Sequence, residues 1–167
     1  MRPLNIPLPK AEVANTAAVV VSYYPDEGFG ERLTNLRKQF AAVFWVDNTP
    51  GAAVGSKHLS DLDVNYISQG VNVGLGTALN MGCMAALENG FEWVVTFDQD
   101  SEVAADFLCQ QIAAWQESDS SPFILGCNYS SGDNVDMPRF RAGDYVVVCK
   151  TVITSGCLMC LPVWDDL

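Results

Sequence analysis

Basic residues are scarce in this chain: nine lysines and arginines stand against twenty aspartates and glutamates, a formal net charge of −11. A field of that sign repels nucleic acid and anionic membrane, which argues against a DNA- or RNA-binding role. Any phosphate-bearing ligand then needs a local positive feature, either a cation or a helix N-terminus. Histidine occurs once, at His58, in a loop beside Lys57, and is expected to face solvent. Cys157 and Cys160 make a single C-x-x-C with no second pair, late in the apolar run "CLMCL". That spacing, with one histidine in the chain, supports neither a zinc centre nor a thioredoxin-type motif. The six cysteines lie mostly in apolar surroundings, as buried reduced thiols of a cytoplasmic protein do.

Long apolar runs are missing too. No stretch approaches the ~18 residues that would span a bilayer, so no transmembrane segment is expected. The opening "MRPLNIPLPKAEVANT" is broken by three prolines and has no continuous apolar h-region, so it reads as a loose lead-in (1–16) and not as a signal peptide. No repeat, low-complexity tract or linker divides the rest of the chain. With 49% apolar residues, residues 17–167 are expected to form one packed domain.

What is present alternates. "AAVVVSYY" (17–24) is a β-branched run ended by "PDEG", a buried strand and a turn. "GERLTNLRKQF" spaces Leu33, Leu36 and Phe40 as an amphipathic helix does, with basic residues late. "AVFWVDN" and "VNYIS" are strands two and three. "LGTALNMGCMAALENG" is a helix stopped at Asn89-Gly90. "EWVVTF" is a fourth strand and "VAADFLCQQIAAW" a further helix. "PFILGCNY", "DYVVVC" and "TVIT" read as three later strands. The order predicts right-handed βαβ units and an α/β domain with a mainly parallel sheet flanked by helices. Trp45, Trp93 and Trp115 fall inside these elements and are expected in the core.

Ligands of such sheets bind beyond the carboxyl ends of the strands. That edge receives Tyr24, Pro25 and Asp26 after strand one, and Asp47 and Asn48 after strand two. Gln69 to Asn80 follow strand three, and Asp98, Gln99 and Asp100 follow strand four. Asp26 alone is an ordinary turn or cap residue. Asp98 and Asp100 form a D-x-D. In extended chain, residues i and i+2 point the same way, so both carboxylates can face one ligand. Like charges that close call for a cation, and oxygen donors of this kind suit Mg²⁺ or Mn²⁺ completed by water and substrate phosphate. The competing reading is a solvated strand end, with Asp100 and Ser101 capping the next helix. Gly70, Gly74 and Gly76 lie in a loop that opens onto a helix, where backbone amides can approach a phosphate. A dinucleotide-binding fingerprint is the weaker reading there. Leu79 stands where its third glycine belongs, and the loop follows the third strand instead of the first.

Together "AVVVSYYPD", "WVDNTPG", "NVGLGTALNMGCMAALENGFEWVVTFDQDS" and "VITSG" resemble, in order, the family 2 glycosyltransferases of GT-A fold, most of all their rhamnosyltransferase-like branch. The resemblance implies a Rossmann-like nucleotide-diphospho-sugar transferase fold. It implies a dTDP- or UDP-sugar donor, dTDP-L-rhamnose foremost, a saccharide acceptor and metal-dependent inverting transfer in polysaccharide biosynthesis. By position, Asp47 would read the base and Tyr23, Tyr24 and Pro25 would flank it. Asn72, Gly74 and Asn80 would lie beside ribose and diphosphate. Asp98 and Asp100 would be the metal carboxylates, with Asp100 the direct ligand. Ser155 and Gly156, after Thr154, would border the sugar and acceptor.

The resemblance also implies a general base beyond the Ser-Gly segment, whereas here only Asp165 and Asp166 follow, in "LPVWDDL". The expectation is a donor-binding portion lacking its C-terminal acceptor part and base, in the cytoplasm or peripheral at the inner membrane face. The alternatives are a non-catalytic nucleotide-sugar-binding remnant, a half-enzyme completed by a partner, and a nucleotidyltransferase. The last wants a basic, glycine-rich first loop, which "SYYPDEG" is not. Exposed apolar surface at "CLMCLPVW" would favour pairing, for instance as a homo-oligomer. Arg139 and Arg141 are expected in a solvated loop.

Overall fold

A computed structural model of the chain describes residues 7–51, 62–118, 122–127 and 152–165. Four parallel strands form the centre: β1 (Thr16–Ser22), β2 (Ala42–Asp47), β3 (Asn65–Ser68) and β4 (Trp93–Asp98). Two short strands, β5 (Ile124–Leu125) and β6 (Cys157–Cys160), extend the sheet in the order β3-β2-β1-β4-β6-β5. β6 runs antiparallel to β4, and β5 antiparallel to β6. All seven residues of β1 are buried. A strand covered on both faces must be apolar throughout, which is why it reads as an unbroken run and not as an alternation.

The helices sort to opposite faces. α1 (Phe29–Arg37) and α3 (Phe107–Glu117) bring Phe29, Leu33, Leu108 and Trp115 onto Ala18, Val20, Trp45, Val95 and Phe97. α2 (Leu75–Glu88) and α4 (Leu161–Asp165) bring Cys83, Ala86 and Leu161 onto Ala17, Val19, Phe44 and Val94. α1 leads from β1 outward to β2, whereas α2 carries the chain back across β2 and β1 to β4. Crossovers of one hand moving in opposite directions put their helices on opposite faces, and the reversal falls between β1 and β4. α2 lies close to the sheet because Gly82 faces it: a Cβ there would stand 2.4 Å from Val19 Cγ1. The helix ends as expected, with Asn89 as C-cap and Gly90 at φ 84°. Trp45, Trp93 and Trp115 are core residues, at most 8% exposed.

The later strands differ from the sequence reading. "PFILGCNY" contributes only Ile124–Leu125 among its described residues, and "DYVVVC" lies outside them. Val152 and Ile153 are half exposed and not in a strand. The chain turns at Gly156 (φ 75°), and "CLMC" is the strand instead, pairing Trp93–Thr96 with Cys157–Cys160. Its apolar character therefore belongs to the core. Leu158, Leu161 and Val163 are fully buried, so these residues offer no exposed apolar surface that would favour pairing. The lead-in is also less loose than expected. Ala11 is fully buried, its carbonyl accepts from Gln116 Nε2, and Val13–Asn15 form a 3₁₀ turn. No disulfide joins the described cysteines, but Cys109 is exposed, against the expectation of burial. His58, Arg139, Arg141 and Asp166 lie outside the described residues.

Candidate functional site

The carboxyl ends of β1, β2 and β4 and the loop after β3 meet at one edge. After β1 the chain exposes Tyr23 and Tyr24, whose rings touch edge-on at 4.6 Å. Tyr24 sits at φ 47°, a left-handed conformation that costs a bulky residue free energy. Two neighbours hold it there: the Tyr23 amide donates to Gln99 Oε1 (2.7 Å) and the Tyr24 amide to Thr49 Oγ1 (2.8 Å).

At the end of β2, Asp47 is 6% exposed and well supplied with donors. Its Oδ1 accepts from the Thr49 amide (3.0 Å) and from Ser22 Oγ (3.3 Å), and its Oδ2 accepts from the Tyr66 hydroxyl (3.3 Å). Trp45 Nε1 donates to Ser22 Oγ at 2.8 Å, which leaves the serine proton for Asp47. Donors on both oxygens replace the water that this polar side chain loses on burial.

Asn48, the next residue, points the other way and ties β2 to the glycine loop. Its Nδ2 donates to Asn72 Oδ1 (2.9 Å), and its Oδ1 accepts from the Val73 amide (2.8 Å). Asn72 Oδ1 also accepts from the Gly74 amide (2.8 Å). Gly74 then caps α2 at φ 85°, ψ 154°, a region that only glycine occupies without strain. The first-turn amides of α2 thus open at this edge, with no acidic residue in that turn to neutralise them.

The D-x-D is not the extended segment that the sequence suggested. Asp98 is the last residue of β4, and Gln99 and Asp100 form a turn closed by the Ser101 amide on the Asp98 carbonyl (3.1 Å). The two carboxylates are brought together by that turn and not by strand alternation. Burial first, and then the charge of Asp100, push the Asp98 carboxyl above its ordinary pKa. Asp100 and Ser101 do not cap α3, which begins at Phe107 behind Asp106.

From the opposite side, Ser155 Oγ accepts the Asp98 amide (3.2 Å) and shares a hydrogen bond with Ser101 Oγ (2.7 Å). The Gly156 amide donates to the Thr96 carbonyl (2.7 Å). Gly156 is doubly constrained, by its φ and by Cys127 Sγ, 2.2 Å from where a Cβ would stand.

An open cleft of about 330 Å³ lies among these ends, walled by Ser22, Tyr23, Asn48, Asn72, Gly74, Leu75, Asp98 and Gln99, with Val21. Of the residues expected from sequence, Tyr23, Asn72, Gly74 and Asp98 line it, while Ser155 is bonded to Asp98. Tyr24, Pro25, Asp47 and Gly156 flank it without forming its walls, and Asp100 is exposed on the adjoining turn. Asn80 is exposed on the second turn of α2, also outside the walls. Sequence reasoning underrated Asn48 and Gln99. Each stood beside a residue already singled out, and only their bonds across the edge reveal what they do. A smaller hollow, about 220 Å³, lies between α1 and residues 62–64 and carries none of these groups.

Among the described residues no group of three or more His, Cys, Asp or Glu side chains could enclose a metal. A hard, hydrated cation asks for less: one or two carboxylates, with water and phosphate oxygens completing its shell. Asp98 and Asp100 fit that requirement.

Residues 18–154 match the family model for glycosyl transferase family 2. The chain belongs to that family. Over 110 residues it is 31% identical to the dTDP-rhamnosyl transferase RfbF of Shigella flexneri, covering 65% of this chain and 36% of that one. The crystal structure of S. aureus TarS 1–349 superposes on 91% of this chain with a TM-score of 0.59, at 17% identity, and 48% of TarS is matched. The fold is thus the expected GT-A fold, and the chain spans between about a third and a half of the length of these relatives. No described helix is long and apolar enough to cross a membrane.

Proposed function

We propose that this chain is the donor-binding portion of a metal-dependent, inverting glycosyltransferase that takes a rhamnosyl group from dTDP-L-rhamnose to a saccharide acceptor. The observation that carries this reading is the convergence of four connections on one cleft, in a family 2 chain similar to a dTDP-rhamnosyl transferase. The exposed Tyr23 and Tyr24 rings supply a stacking surface for a pyrimidine, and Asp47 an acceptor for its N3–H. Asp47 Oδ2 is the atom for that bond: among the described residues it accepts from the Tyr66 hydroxyl alone and keeps a lone pair, whereas Oδ1 is already engaged twice. Asn72, Gly74 and the first turn of α2 supply amides for the diphosphate, the one positive feature an acidic protein needs there. Asn80 extends this side along α2.

Asp98 and Asp100 would hold Mg²⁺ or Mn²⁺, whose charge offsets that of the departing diphosphate. Ser155 and Gly156, fixed to the end of β4, border the sugar. The acceptor-deprotonating base is assigned to no residue of this chain. A cytoplasmic setting suits the thiols and the nucleotide donor alike.

Calorimetric titration of dTDP, then UDP, with and without Mn²⁺, on the parent and on Asp100→Ala tests the proposal. Metal-strengthened dTDP binding, lost in the variant, is the expected result. A folded parent that binds neither nucleotide would overturn it.

A further inference from the structure

The turn that carries Asp98 and Asp100 is held from outside the cleft. Arg32, on the first turn of α1, is largely buried and spans two segments. Its Nε donates to the backbone carbonyl of Gln99 at 2.7 Å, and its Nη2 pairs with Asp26 Oδ1. The path of this side chain depends on Gly28: a Cβ there would meet Arg32 Nη1 at 2.9 Å. Of the other described cations, Lys10 pairs with Glu12, Arg37 with Asp63, and Lys38 bonds Asn35. Only Arg32 among them grips the Asp98–Ser101 turn.

Gln99 is consequently clamped at both ends. Its side-chain oxygen takes the Tyr23 amide from the exit of β1, and its main-chain oxygen takes the Arg32 guanidinium from α1. Fixing the Gln99 carbonyl fixes the peptide plane that joins Gln99 to Asp100. It therefore fixes where the Asp100 nitrogen and Cα stand, the base from which its carboxylate is presented. A guanidinium suits this task because its rigid fork reaches a carbonyl and a carboxylate at once, whereas an ammonium is a single point charge.

We propose that Arg32 is a positioning residue: it sets the Asp98–Asp100 turn in the arrangement that receives the metal-bound diphosphate, without touching ligand itself. This rests on the reading of the cleft as a nucleotide-sugar site.

The test is the gain in dTDP affinity on adding Mn²⁺, measured by calorimetry for the parent, Arg32→Met and Asp26→Asn. In Arg32→Met that gain falls about tenfold, the worth of one charge-assisted hydrogen bond, while metal-free dTDP binding is little changed. A general loosening of α1 would weaken both alike, and that result would count against a positioning role. Asp26→Asn keeps the bond to Gln99 and keeps the gain. Should Arg32→Met not fold, Arg32→Lys replaces it and shows a smaller loss in the same direction. A folded Arg32 variant with the full Mn²⁺ gain, or Asp26→Asn losing as much as Arg32→Met, overturns the proposal while leaving the nucleotide site standing. A parent insensitive to dTDP overturns both.

Discussion

Gly82→Ala probes the contact that sets α2, and with it the glycine loop, against the sheet. The added methyl would stand 2.4 Å from Val19 Cγ1 and 3.1 Å from Val46 Cγ2. Neither valine can withdraw easily. Val19 is fully buried in the central strand, Val46 is 2% exposed, and β-branched side chains are stiff at χ1. The helix must therefore move outward by a good fraction of an ångström. A 2.4 Å approach to a stiff, buried side chain belongs in the upper part of the overpacking range, about 2–3 kcal/mol. Replacing glycine by alanine inside a helix returns about 1 kcal/mol, so the net loss should be about 1–2 kcal/mol. For a chain of this size that corresponds to a fall in Tm of roughly 2–8 °C. In urea the midpoint should fall with the slope unchanged, since the surface exposed on unfolding is the same. Displacing α2 also displaces Gly74 and Leu75 in the cleft wall, so dTDP binding should weaken in the folded variant. An alanine variant as stable as the parent would refute the claimed close approach of helix and sheet.

Tyr24→Gly separates fold from function. Relief of the left-handed φ at Tyr24 should leave stability unchanged or raised by about 1 kcal/mol in denaturant melts, while loss of the ring weakens dTDP binding in calorimetry. Cysteine chemistry gives a pH test. Burial pushes the Cys83 thiol up to about 12 from its ordinary 9.0, so the folded chain holds this proton where the unfolded chain releases it. Its contribution is complete below pH 9 and is lost as pH rises from 9 toward 12, by at most about 4 kcal/mol. Stability measured across that range should fall less steeply in Cys83→Ala than in the parent. In the native state near neutral pH, a thiol reagent followed by peptide mapping should label Cys109 well before Cys83.

Some features were fixed by local chemistry and are legible in the sequence. An unbroken β-branched run such as Ala17–Ser22 has few ways to bury itself other than as a central parallel strand. A helix rich in Ala, Leu and Met that stops at Asn89-Gly90 needs no tertiary help to show its end. The alternation of such elements dictates a parallel sheet, and a parallel sheet dictates the ligand edge. Hence Asn72, Gly74 and Asp98 could be placed at that edge from the sequence alone, and Tyr23 through the family resemblance.

Other features depended on partners distant in the chain. "CLMC" has no pattern that distinguishes a strand from a buried terminal run, and only its pairing with β4 decides the matter. The Asp98–Ser101 turn could not be told from extended chain, because Gln99 is held by Tyr23 and Arg32, 76 and 67 residues away. Asn48 and Arg32 looked like ordinary polar residues of a turn and a helix. Their work lies in hydrogen bonds across the sheet edge, and a linear sequence does not carry that geometry. The residue types and their order determined the fold and the chemistry available at the edge; the tertiary structure decided which atoms hold the carboxylates in place.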